Sequence, residues 1–84
     1  MTADELLELL EERPFVPLRL HLSDGRMREI RHPEMAIVSD TLVAIGVPRN
    51  EVSRIATKIT YCSLAHVVEA EPILSSPTNG EPEA

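Results

Sequence analysis

Aromatic side chains are nearly missing from this chain: one phenylalanine, one tyrosine and no tryptophan among 84 residues. Tyr61 is the only ring in the strand-forming part, so there is no stacking platform for nucleic-acid bases. Glycine is scarce too, at three residues, and none sits in a phosphate-cradling loop. The one cysteine, Cys62, excludes an intramolecular disulfide and fits a reducing, cytoplasmic compartment. No apolar run approaches the ~20 residues of a membrane span. The acidic start "MTADELLELL" lacks the positive segment of a signal peptide. No membrane partner is expected.

What is present is short and unevenly charged. A single domain of this length buries about 60–65% of its unfolded surface. It is marginal alone and favours a partner or self-association. The net charge of −6 is concentrated at the ends. Residues 1–13 hold five carboxylates and one arginine, and the tail adds Glu81 and Glu83. Residues 14–74 carry seven bases and seven acids and are neutral. An acidic total opposes broad nucleic-acid binding but leaves room for a local basic face.

Thr2-Ala3-Asp4-Glu5 reads as a capping box that opens a helix of ten or eleven residues. Leu6, Leu9 and Leu10 form its stripe, with Leu7 beside it, and Pro14 ends it. The period then changes to two. Leu18, Leu20 and Leu22 alternate with Arg19 and His21, as in a half-buried strand, and Asp24-Gly25 signals a hairpin. A two-residue loop sets Leu20 opposite Glu29. A three-residue loop, Ser23-Asp24-Gly25, sets Arg19 opposite Glu29 and Leu18 opposite Ile30. The second pairs charge with charge and apolar with apolar, and is preferred. It requires Gly25 at positive φ.

The second strand, residues 27–31, must bend or break at Pro33 and resume from Glu34 to Ser39. Ser39-Asp40 marks a turn, Thr41–Val47 a third strand and residues 48–54 a polar loop. Thr57–Cys62 and His66–Ala70 follow as strands around a Ser63-Leu64-Ala65 corner. The expected fold is mainly β with an N-terminal α-helix: a small, bent, five-stranded antiparallel barrel with the helix over one opening. Residues 1–71 form this domain, and residues 72–84, rich in proline, form a disordered tail.

"PFVPLRLHLSDGRMREIRHPE" resembles a group of short bacterial proteins of unassigned function that share Pro-Phe-x-Pro, Leu-Ser-Asp-Gly-Arg and His-Pro-Glu. That resemblance implies no activity. The element order also resembles the Sm-like fold of the bacterial Hfq-like RNA chaperones, an SH3-like barrel that assembles into rings by pairing its fourth strand with the fifth of the next subunit. Tyr61 matches that family's closing tyrosine. Cys62 and Ser63 replace its lysine and histidine, so the resemblance implies a barrel, and a ring, without the RNA grip.

Arg19, Arg26, Arg28 and Arg31, with His21 and His32 among them, suggest an anion-binding face for RNA or an acidic partner. The alternative is a solvated face balanced by the protein's own acids. His21, His32 and His66 lack the spacing of a zinc site, and no metal or other cofactor is expected. Cys62 with His66 is the one pair resembling a nucleophile and base, but a cysteine in an apolar strand is usually inert. No enzyme is expected. The leading expectation is a non-catalytic homo-oligomeric module that self-associates through strand edges at Ile59, Tyr61, Val67 and Val68. Sm-like RNA binding by the arginine-rich hairpin is the alternative.

Overall fold

Thr2 and Glu5 start the one α-helix among the described residues, α1 (Ala3–Leu10), by exchanging bonds. The Glu5 amide donates to the Thr2 hydroxyl at 3.1 Å, and the Thr2 amide donates to the Glu5 carboxylate at 3.0 Å. The capping box is therefore as expected, but the helix is shorter, with eight residues. Arg13 explains the early stop. Its guanidinium donates to the carbonyls of Leu10 (3.0 Å) and Glu12 (2.7 Å), capping the last turn before Pro14 is reached. Leu6 and Leu10 are buried, Leu9 packs beside them, and Leu7 stays exposed.

The structure, a computed structural model, describes residues 1–74. After the helix come β1 (Leu18–Leu22) and β2 (Met27–Ile30), and then β3 (Ala36–Val38) and β4 (Leu42–Pro48). β5 (Ala56–Ser63) and β6 (Val67–Pro72) complete the described residues. They form two antiparallel three-stranded sheets, ordered β2-β1-β6 and β3-β4-β5.

The β1–β2 hairpin takes the three-residue loop. Leu18 faces Ile30 and Arg19 faces Glu29, and Gly25 has φ +90°. Of the bend or break expected at Pro33, the structure shows a full break. Pro33–Met35 make one 3-10 turn, entered from His32, and the chain leaves it in the other sheet. The expected second strand is thus two strands, and the described residues hold six strands in two sheets rather than five in one closed barrel. Proline causes this directly, because it cannot donate to a ladder and it fits the first position of a helical turn. The second 3-10 turn, Leu64–His66, makes the corner before β6. His66 therefore sits in the turn rather than in a strand.

One hydrophobic cluster fills the space between the sheets. β1 supplies Leu18, Leu20 and Leu22, and β4 supplies Val43 and Ile45. The helix adds Leu6 and Leu10. Leu6, Leu20 and Ile30 have no exposed surface. Each such side chain contributes about 1.5–3 kcal/mol relative to exposure. The sheet pairing continues past the expected tail boundary: Pro72 closes β6 opposite Leu18, and the Ile73 amide donates to the Pro17 carbonyl at 2.8 Å. The rest of the expected tail, from residue 75, lies outside the described residues. Among the described residues no helix is long and apolar enough to cross a membrane.

Candidate functional site

The hairpin register decides where each arginine goes. Along β1 and β2, side chains alternate between the core and the outer face. Arg19, His21 and Glu29 fall on the outer face, and β6 brings Glu71 opposite Arg19. A network results. Glu29 accepts from Arg19 (3.1 Å) and from Arg31 (2.9 Å). Glu71 lies 2.8 Å from His21 Nε2 and 3.7 Å from Arg19. Hydrogen bonding from Arg19, then from Arg31, holds the Glu29 carboxyl below the usual range. His21 does the same for Glu71, with Arg19 adding a smaller share. Arg19 and Arg31 are thus spoken for by the protein's own acids, and these two do not form an open anion-binding face.

Arg26 is also held by an acid of the protein, within its own turn, and Arg28 differs from the other three. The Asp24 carboxylate accepts the Arg26 backbone N–H (2.9 Å) and the Arg26 Nε–H (2.8 Å), which rigidifies the turn and lowers the Asp24 pKa. Arg28 stands opposite Leu20, on the core side of β2. It gives one N–H to the Met27 carbonyl at 2.9 Å, and among the described residues it has no carboxylate partner. Its Nε is buried without any hydrogen-bond partner.

Both arginines line a pocket of about 290 Å³ between the hairpin and the β5–β6 corner. Cys62, Ser63 and His66 line it from the other side, with Tyr61 at the strand end. The walls are tied together: the Ser23 amide donates to the His66 carbonyl at 2.8 Å, and the Ser23 hydroxyl meets His66 Nδ1 at 3.2 Å. Cys62 and His66 do share this pocket, but the chemistry of a nucleophile and base is not assembled. His66 is turned to Ser23, and burial pushes the Cys62 thiol up despite the pull of Arg28 and Arg26. A larger, open depression of about 740 Å³ holds Arg31, His32 and Glu51 on the far side. The three histidines are thus apart, and among the described residues no three His, Cys, Asp or Glu side chains gather as metal ligands.

The residues expected at the oligomer edge divide as well. β5 and β6 are each the edge strand of a sheet. Ile59, Tyr61 and Val68 are exposed, at 56%, 68% and 67%. Val67 is a correction: it is 5% exposed, and its side chain belongs to the core. The cause is a shift of register in β6. Leu22 faces Val67 and His21 faces Glu69, leaving Val68 as an extra, outward residue.

The structure adds an outer face that the sequence reading had not singled out. In the second sheet, Ile37, Ala44 and Tyr61 form one row across three strands, and Gly46 and Ile59 form the next. Leu42 and Ser63 complete the face, and no charged residue occupies these rows. Gly46 lets these groups pack close: a Cβ there would lie 3.1 Å from the Met35 sulfur and 3.2 Å from the Ala56 Cβ, so both would have to give by a few tenths of an ångström. One signal was available in the sequence: Ile37 and Val38 are adjacent apolar residues in a strand, which makes both of its faces apolar. Comparison of the chain with protein-family models, curated proteins and solved structures finds no significant match.

Proposed function

We propose that the protein is a non-catalytic assembly module: a half-open SH3-like barrel, Sm-like in layout, that self-associates through the edges of β5 and β6. One observation carries the reading. The strand rows on the outer face of the second sheet carry no charge, Glu34 standing at their margin, and they run out to β5, whose outer backbone edge is unpaired among the described residues. Exposed apolar strands next to an open edge favour pairing with another chain. Burying side chains such as Ile37, Ile59 and Tyr61 contributes on the order of 1–2 kcal/mol each.

Charge favours a second copy joined head to tail. Lys58 is the only charged residue of β5, β6 carries Glu69, and both are exposed and without a charged partner among the described residues. Setting β5 of one copy beside β6 of the next brings opposite charges to the same seam. Such a contact is heterologous, and a closing rotation makes a ring. Three of the four arginines that the RNA-binding alternative would use are paired to the protein's own acids: Arg19 and Arg31 to Glu29, Arg19 also to Glu71, and Arg26 to Asp24.

Light scattering across a wide concentration range tests the proposal. The expected mass is a multiple of 9.3 kDa. Ile59→Lys places a charge on the edge without touching the core, and it should yield folded monomers by circular dichroism. A wild-type mass of one chain at every concentration refutes the reading.

A further inference from the structure

We propose that the pocket between the Asp24-Gly25 hairpin and the β5–β6 corner binds a phosphate-class oxyanion, gripped by Arg28 and Arg26 and completed by Ser63 and His66.

The strongest pointer is Arg28. Its Nε is buried with no partner, and no carboxylate neutralises its guanidinium among the described residues. Buried donors in folded proteins are paired with few exceptions, and an unpaired one on a cation calls for an acceptor carrying negative charge. Every other arginine of the hairpin region has such an acceptor: Arg19 and Arg31 have Glu29, and Arg26 has Asp24. Among these four arginines, Arg28 alone lines a cavity without a carboxylate partner among the described residues.

The cavity supplies the remaining donors. Arg26 uses its Nε on Asp24, and its terminal nitrogens have no partner among the described residues. Ser23 holds His66 through Nδ1, leaving the other ring nitrogen without a partner among the described residues. Ser63 lines the same space from the end of β5. These groups approach from two sheets and a turn. Converging donors of this kind match the several oxygens of a tetrahedral anion better than the two coplanar oxygens of a carboxylate, and the guanidinium fork suits phosphate. At about 290 Å³ the pocket holds a phosphate group with a small substituent. A polynucleotide is disfavoured. It needs a basic track beyond the pocket, and the adjoining Arg19 and Arg31 are neutralised on a chain of net charge −6.

The register of the hairpin makes the site. Slipping β2 by one residue would set Glu29 opposite Leu20 and turn Arg28 to the outer face. The three-residue loop therefore places a cation where the core opens.

The test is a titration of full-length protein in low-salt chloride buffer with inorganic phosphate, followed by the Arg28 Nε–H and His66 resonances and by calorimetry. The expected result is saturable binding that moves the Arg28 Nε–H signal. Arg28→Met should weaken it about tenfold or more, while Arg31→Met leaves it unchanged. If Arg28→Met does not fold, Ser63→Ala and His66→Asn carry the test, each weakening binding. A phosphomonoester such as glycerol phosphate identifies the source. Tighter binding than inorganic phosphate marks an organic ligand, and weaker binding marks the free ion. No saturable response up to about 20 mM phosphate, well beyond a millimolar Kd, overturns the proposal. So does an equal response to acetate, or oligonucleotide binding that is indifferent to Arg28. The particle mass is read separately by light scattering, so failure here leaves the assembly reading untouched.

Discussion

Gly25→Ala isolates the backbone demand of the hairpin. Gly25 has φ +90°, and a Cβ built there meets nothing within 4 Å. The substitution therefore introduces no clash, and any cost comes from the dihedral alone. A left-handed conformation costs an L-residue about 1–2 kcal/mol, and φ +90° lies beyond the narrow left-handed well, which places the cost toward the upper end. Restricting the unfolded chain returns about 0.4–1 kcal/mol. The net loss is about 1 kcal/mol. Asparagine tolerates positive φ better, so Gly25→Asn should lose about half as much. In urea, with a slope of about 1 kcal/mol/M for a small domain, the Gly25→Ala midpoint falls by about 1 M. Unfolding followed by far-ultraviolet circular dichroism measures it. A Gly25→Ala midpoint within about 0.2 M of wild type, or equal losses for alanine and asparagine, would refute the reasoning. The loop would then not need a left-handed residue, and the register that places Arg28 would lose its anchor.

The carboxylates of Glu5, Asp24, Glu29 and Glu71 set the pH dependence. Each has a folded pKa below its unfolded value, so the unfolded chain binds more protons in acid. Their contribution is complete above the ordinary carboxylate value of about 4 and is lost as pH falls through the lowered folded values. The urea midpoint should hold steady from neutrality to about pH 5 and fall below that, with a shallower fall in Glu29→Gln. A midpoint that rises on acidification would contradict the assignment. Cys62 should alkylate more slowly than free cysteine at neutral pH and recover the free rate in urea, because burial raises its pKa and shields the sulfur. A native rate at or above that of free cysteine would return Cys62 and His66 to consideration as a catalytic pair.

The sequence by itself determined the parts of this protein that depend on neighbours a few residues apart. Thr2 and Glu5 specify a helix start through their own side chains. Leu18, Leu20 and Leu22 specify which face of β1 is buried, and their burial alternates as the pattern requires. Even the hairpin register was legible, because Arg19 with Glu29 and Leu18 with Ile30 are matched pairs across a short loop. Only the tertiary structure decided what depends on distant partners. Pro33 announced an interruption, but packing of β3 against β4 sent the chain into the other sheet. Val67 and Val68 are alike in sequence, and a register shift against β1 buried one and exposed the other. Arg19 is balanced in part by Glu71, and Ser23 meets His66 across 43 residues of chain. Four hairpin arginines that look equivalent in the sequence thus differ in the fold. Where two sheets meet depends on the whole core, and at that meeting Asp24 is taken by Arg26 while Arg28 lines the pocket with no carboxylate partner among the described residues.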